Sequence, residues 1–219
     1  MCGRFCLDST SEVLVRFFAT QGFVPFAPRY NIAPGRQVLA VRWGEDQREA
    51  AFFNWGLIPA WAKDRSIGAK LINARGETLS EKPSFRAAFK MRRCLIPATG
   101  FYEWKVEGTR KQPFLFRRCD REPFALAGLW ERWIDKEDGQ EVDSCSIITT
   151  AANSMVSEIH QRMPVLISTA NFDEWLQGDS RPLKRLLESS EWPGFEFYAV
   201  SSCVNNSRNE GEECVKPLP

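Results

Sequence analysis

Apolar and polar positions alternate along much of the chain, with apolar-rich runs of strand length separated by short polar segments. This pattern predicts a strand-rich, antiparallel architecture. Val38 to Trp43 and Ala50 to Trp55 read as paired strands, with Gly44-Glu45-Asp46-Gln47-Arg48 as the hairpin turn between them. Cys94 to Ala98 reads as a buried strand. Gly100 to Val106 and Phe114 to Phe116 flank a turn at Glu107-Gly108-Thr109-Arg110. Phe124 to Trp133 and Val142 to Thr150 flank a second turn at Lys136-Glu137-Asp138-Gly139. Shorter strands are expected at Val165 to Ile167 and Phe195 to Val200, and Cys2 to Leu7 is expected to be extended.

Helical spacing is rarer. Ser9 or Thr10 can cap a helix carrying Val13, Leu14, Phe17 and Phe18 on one face, with Gly22 as its stop. Shorter helices are expected at Ser84 to Met91, Asn171 to Leu176 and Pro182 to Leu187. Phe23 to Gly35, with Pro25, Pro28 and Pro34, reads as an irregular loop. Gly56 to Trp61 reads as a second loop, Ser157 to Pro164 as a connection and the polar tail from Asn205 as loop. Trp61 is either exposed on its loop or drawn into the core. The whole, residues 1–219, reads as one α+β domain built mainly on antiparallel sheet with peripheral helices.

Charge and cysteine usage narrow the function classes. Twenty-nine basic and 28 acidic side chains leave a net charge of +1, so a global basic field for duplex DNA is absent. No apolar run approaches ~20 residues and the N-terminus lacks a signal peptide's apolar region, which leads us to expect a soluble, cytoplasmic protein. The seven cysteines are odd in number, scattered and free of any C-x-x-C pattern. That favours reduced thiols over a disulfide framework or a zinc site. With a single histidine, His160, no metal or other cofactor is expected. His160 is also the one side chain whose unperturbed pKa lies near neutrality.

The chain opens Met1-Cys2-Gly3-Arg4-Phe5. Initiator methionine is normally removed ahead of a small residue, and removal here would leave a 1,2-aminothiol. Its amine, with a reference pKa near ~8, can form a Schiff base with an aldehyde, and its thiol can then close a thiazolidine. Four tripeptides place a reactive group two residues before a cation: Cys2-Gly3-Arg4, Asn73-Ala74-Arg75, Glu103-Trp104-Lys105 and His160-Gln161-Arg162. Positions i and i+2 share a face in an extended strand but not in a helix. Glu103, among Phe101, Tyr102 and Trp104, is either a desolvated carboxyl able to shuttle protons or a solvated group on the outer face of its strand.

Seven motifs in order carry a family resemblance. They are Met1-Cys2-Gly3-Arg4-Phe5, Arg29 to Gly35, Trp55 to Trp61, Asn73 to Thr78, Phe101 to Lys105, His160 to Pro164, and Val200-Ser201 with Asn205. Together they resemble the SOS-response-associated peptidase (SRAP) family over nearly the full chain. The resemblance implies a single, barrel-like SRAP domain that senses abasic sites in single-stranded DNA. It implies Cys2 as nucleophile, Asn73 as the group orienting it, and Glu103 and His160 as proton-transfer residues. It further implies Arg4, Arg75 and Arg162 as contacts to the DNA backbone and Pro34 and Trp61 as contacts around the bases. Ala62 departs from the pattern, because some relatives carry a second aromatic residue after the position of Trp61. The expected partner is abasic single-stranded DNA, bound by a monomer.

Three other readings remain compatible with the residues. A glutamine amidotransferase also uses an N-terminal cysteine, but this chain has no Asn-Gly dipeptide for an oxyanion site and no room for a fused synthase domain. A thiol peptidase, acting on other chains or on its own N-terminus, would use Cys2 with His160 and Glu103 or Asn73. A non-covalent single-strand binding module would need neither thiol nor amine.

Overall fold

The long apolar runs become the walls of a closed barrel in a computed structural model that describes residues 2–21, 25–179 and 182–219. The first elements are β1 (Phe5–Leu7), α1 (Ser11–Phe18), β2 (Arg29–Ile32), β3 (Gln37–Trp43), β4 (Arg48–Trp55) and β5 (Asn73–Arg75). There follow α2 (Arg86–Met91), β6 (Arg93–Ala98), β7 (Gly100–Glu107), β8 (Arg110–Arg118), β9 (Phe124–Ile134) and β10 (Glu141–Ala151). The last are α3 (Ser154–Ser157), β11 (Arg162–Pro164), β12 (Leu166–Ile167), α4 (Phe172–Gln177) and β13 (Phe195–Ala199).

Strands β4, β3, β6, β9 and β10 pair in that order, and β10 returns to β4 to close the barrel. Only the closing pair of the five is parallel, with Ser144 opposite Asn54 and Cys145 opposite Trp55. Closure leaves no free edge on the barrel strands where they meet. A second, antiparallel sheet runs β13-β8-β7-β1-β2. Its strands alternate faces as the pleat demands. Phe5, Leu7, Phe101 and Phe116 enter the main core shared with the barrel, whereas Cys6, Tyr102 and Leu115 face a smaller cluster. The Phe5 ring meets Trp55 of β4 edge to face at 5.2 Å, which docks the second sheet on the barrel.

Several local expectations are corrected. Helix α1 starts at the Thr10 cap, whose hydroxyl accepts from the Val13 N–H at 3.4 Å. It stops at Ala19, which turns left-handed at φ 49°, and Gly22 lies outside the described residues. The Pro-containing stretch after it holds strand β2, because Phe5 and Leu7 offer Ile32 and Arg29 an antiparallel partner. The connection before Val165 contains the end of α3 and strand β11, which pairs with the far end of β10. The tail is ordered into turns at Ser202–Asn205 and Glu212–Cys214, and buries Val204 and Cys214 against Tyr102 and Leu115.

Two devices hold the periphery. Arg93, buried in β6, donates to the carbonyls of Phe89 and Lys90 at the end of α2, both at 2.8 Å. The same guanidinium donates to the carbonyls of Trp175 and Leu176 in α4 and of Gly178 just past it. One cation thereby satisfies carbonyls that two helix ends leave without intrahelical partners. The loop between β4 and β5 crosses itself at Gly56 and Gly68. A Cβ on Gly56 would lie 2.7 Å from the Gly68 oxygen, and one on Gly68 would lie 2.6 Å from the Gly56 oxygen. Gly56 also has φ +139°, so a side chain is excluded there twice over. No helix among the described residues is long and apolar enough to cross a membrane.

Candidate active site

The N-terminal segment enters the site through strand pairing. Phe5 lies opposite Phe101 and Cys6 opposite Gly100, and the Tyr102 N–H donates to the Arg4 carbonyl at 2.9 Å. Continuing this antiparallel register brings Gly3 beside Glu103 and Cys2 to the head of the site. Cys2 is fully buried. Burial pushes its thiol well above the usual cysteine range, and the charge of Glu103 adds to the rise.

Asn73 arrives from a different direction. Strand β5 runs parallel to β10 with Asn73 opposite Ile147, and the Ile72 carbonyl accepts from both the Ile147 N–H and the Trp55 indole. Held this way, the Asn73 side-chain amide donates to the Cys2 carbonyl at 2.9 Å. Its Oδ1 is buried and has no hydrogen-bond partner among the described residues.

Glu103 answers the question left open by alternation. It shares the inward side of β7 with Phe101, and is only 2% exposed. Tyr102 is buried as well, because the C-terminal turns cover the opposite side of the strand. Both faces of β7 are therefore covered at this point. Burial pushes the Glu103 carboxyl up to about 7.

His160 follows α3, with its backbone N–H bonded to the Val156 carbonyl at 2.9 Å. Its Nδ1 lies 4.0 Å from Glu103 Oε2 and accepts from the Arg162 N–H at 3.0 Å. Nδ1 also lies 3.0 Å from the Arg162 carbonyl, to which it donates in the other tautomer, so the neutral ring is satisfied with its proton on either nitrogen. Partial burial lowers the His160 pKa, which favours that neutral form. Glu103, Trp104, Val106, Lys111, His160 and Asn205 line an open pocket of about 390 Å³. The Trp104 indole donates to Asn205 Oδ1 at 2.7 Å across its wall.

Cys2, Asn73, Glu103 and His160 thus converge from four separate segments. The expected DNA contacts are more dispersed. Arg75 is exposed at the end of β5. The Arg162 guanidinium forks onto the Glu77 carboxylate and donates to the Thr149 carbonyl at 2.7 Å. Arg4 is directed inward, and its Nη1 donates to Asn31 Oδ1 at 2.7 Å and to the Val204 carbonyl at 2.8 Å. Pro34 lines a different pocket, with Trp55, Gly56, Ile58 and Arg65. Trp61 stands 58% exposed on the loop between β4 and β5.

The sequence reading passed over Asn31, Glu77 and Thr149. Asn31 is fully buried and its amide donates to the carbonyls of Asn206 and Asn209, tying the tail to the first strands. Glu77 stands in the quoted Asn73 to Thr78 motif, so a partner for Arg162 was in view there. Nothing in the local sequence signals Thr149.

The family model for SOS response associated peptidase (SRAP) matches residues 1–207. The chain is 41% identical to the abasic site processing protein YoqW of Bacillus subtilis, covering 99% of each. It is 31% identical to the abasic site processing protein YedK of Escherichia coli, covering all of both. A crystal structure of a protein from Bacteroides thetaiotaomicron superposes with a TM-score of 0.90 at 26% identity over the whole of both chains. With its barrel, its second sheet and its collinear motifs, this chain belongs to the SOS response associated peptidase family.

Proposed function

We propose that this chain processes abasic sites in single-stranded DNA and captures the ring-opened sugar covalently through Cys2. The carrying observation is the hydrogen bond from Asn73 to the Cys2 carbonyl, at a position where the Glu103 carboxyl is poised near neutrality. The names of the relatives, abasic site processing proteins, support the choice of substrate.

In this reading Met1 is removed and the Cys2 nitrogen becomes an amine. The Asn73 Oδ1, which lacks a donor, accepts from that amine without competing as a base. The amine attacks C1′ of the open-chain aldehyde to give a carbinolamine. Glu103, protonated near neutral pH, gives its proton to the departing hydroxyl, which leaves as water. The Cys2 sulfur then adds to the resulting iminium carbon while the thiol proton passes to the Glu103 carboxylate, closing a thiazolidine and restoring the acid. His160 protonates the sugar ring oxygen and promotes ring opening. Arg75 and Arg162 hold phosphates, and Trp61 stacks on a base without reading sequence. Arg4 acts from behind, holding the first strand in place.

The peptidase reading has less support. A thiol peptidase needs a thiolate of depressed pKa, whereas burial and Glu103 both push the Cys2 thiol up. The test is incubation of purified protein with single-stranded DNA carrying one abasic site. A heat-stable, slow-migrating adduct is expected, absent with Cys2→Ala and absent when Met1 is retained. An adduct that survives Cys2→Ala overturns the assignment. Equal binding of intact and abasic strands with no adduct would make the chain a non-covalent binder.

A further inference from the structure

The C-terminal segment brings two thiols into contact outside the site. Cys203 Sγ lies 3.6 Å from Cys214 Sγ. Cys203 sits in the turn Ser202–Asn205 and is partly exposed, whereas Cys214 ends the turn Glu212–Cys214 and is fully buried. Both turns are fastened. The Cys203 N–H donates to Ser201 Oγ at 3.2 Å, and its carbonyl accepts from the Asn209 side chain at 2.8 Å. The Cys214 carbonyl accepts from the Tyr102 hydroxyl at 3.3 Å.

We propose that Cys203 and Cys214 form an oxidation site, converted by peroxide-class oxidants into a disulfide that fixes the tail against the second sheet. The sulfurs need to approach by about 1.5 Å to reach bonding distance. The segment between them is largely exposed and can absorb that movement. Cys203 is the entry point because it is the accessible partner, while burial and the neighbouring sulfur hold the Cys214 thiol in its neutral form.

The chemistry balances without a cofactor. The Cys203 sulfur attacks one oxygen of hydrogen peroxide, giving a sulfenic acid and one water. The Cys214 sulfur then displaces hydroxide from the Cys203 sulfur, and the hydroxide leaves with the Cys214 proton as a second water. The two thiols lose two electrons, which reduce the peroxide. Such a bond would be transient in a reducing compartment and reversed by a dithiol.

The position gives the bond something to hold. Val204, next to Cys203, offers its carbonyl to Arg4 and to Asn31, and Asn205 receives the Trp104 indole at the pocket wall. A cross-link from Cys203 to Cys214 therefore ties down the turn on which the first strand and the pocket both lean.

The experiment treats the full chain with a few equivalents of hydrogen peroxide, alkylates the remaining thiols and maps them by mass spectrometry. The expected product is a Cys203–Cys214 cross-linked peptide, lighter than the two thiol peptides by two hydrogens and restored by dithiothreitol. Exposed Cys119 serves as an internal control for labelling. The melting temperature of the oxidised protein is expected to rise by a few degrees, and Cys203→Ser is expected to remove that rise. Sulfinic acid at Cys203 without a cross-link, or a melting shift that persists in Cys203→Ser, overturns the proposal. None of these readouts depends on Cys2, so failure here and failure of the DNA chemistry are separate outcomes.

Discussion

The Asn73 side-chain amide donates to the Cys2 carbonyl at 2.9 Å, across 71 residues of chain. An Asp at this position replaces the donor with an acceptor facing an acceptor. Asn73→Asp is expected to slow adduct formation by about 10- to 100-fold, the scale of one lost hydrogen bond plus one unsatisfied buried group. Gel quantification of adduct against time, with folding checked by circular dichroism, measures it. An unchanged rate removes Asn73 from the site.

Glu103 is expected to make stability depend on pH and, in the proposed mechanism, activity as well. Its folded pKa of about 7 lies above the ordinary value of 4.5, so the folded state binds this proton more tightly than the unfolded chain does. The stability contributed by the neutral carboxyl is complete below the unfolded pKa and is lost as pH rises through the folded one. Between those values the wild-type chain should lose stability at up to about 1.4 kcal/mol per pH unit, and Glu103→Gln should flatten that slope. Urea denaturation at several pH values between those limits reads this directly.

In the proposed mechanism the same proton shapes the rate. Adduct formation should rise with pH as the Cys2 amine deprotonates toward ~8, and fall as Glu103 loses its proton. The profile is then a narrow bell near neutrality. Glu103→Gln should lower the maximum by about 100-fold or more. A monotonic rise through alkaline pH would exclude Glu103 as the acid.

Much of this was legible in the chain, and the rest fails for identifiable reasons. The hairpins at Val38 to Trp55 and Phe124 to Thr150 were readable because their apolar runs and polar turns are local signals. Strand β2 was hidden because its partner β1 lies more than twenty residues away, and local proline suggested a loop. The parallel pairing of β10 with β4 is equally non-local. Alternation could not place Glu103, since it assumes one wet face, and the tail covers the face that would have been wet. Cys2, Asn73, Glu103 and His160 were named from the motifs. That Arg4 turns inward onto Asn31 was not foreseen, because Asn31 was read as part of an irregular loop.

A change at Trp61 is expected to separate binding from folding. It is 58% exposed, so Trp61→Ala should leave the melting temperature nearly unchanged. Loss of one stacking platform should weaken single-stranded DNA binding by about 1–3 kcal/mol. Fluorescence anisotropy with a labelled strand measures it, and unaltered affinity would place the bases elsewhere.

Arg93 does the opposite. Arg93→Ala removes donors from carbonyls at two helix ends and leaves them buried, at a cost of about 3–5 kcal/mol. Urea titration should show that loss, while adduct formation per folded molecule stays within about twofold at low temperature, since Arg93 contacts no residue of the proposed site. A stability change under about 1 kcal/mol would mean that water replaces the guanidinium.

Strand β10 changes partners along its length: β4, then β5 on one side, and β9, then β11 on the other. Thr149 stands just past both handovers, opposite Arg75 of β5 and opposite Pro164 of β11. The spacing between Asn73 and the His160–Arg162 segment is thus counted in backbone hydrogen bonds, like teeth on a rack. A slip of one tooth would turn each side chain on the moved strand to the opposite face. Exposed residues in the long connections that carry no such backbone crossing can change under this arrangement, provided the count along β10 is kept.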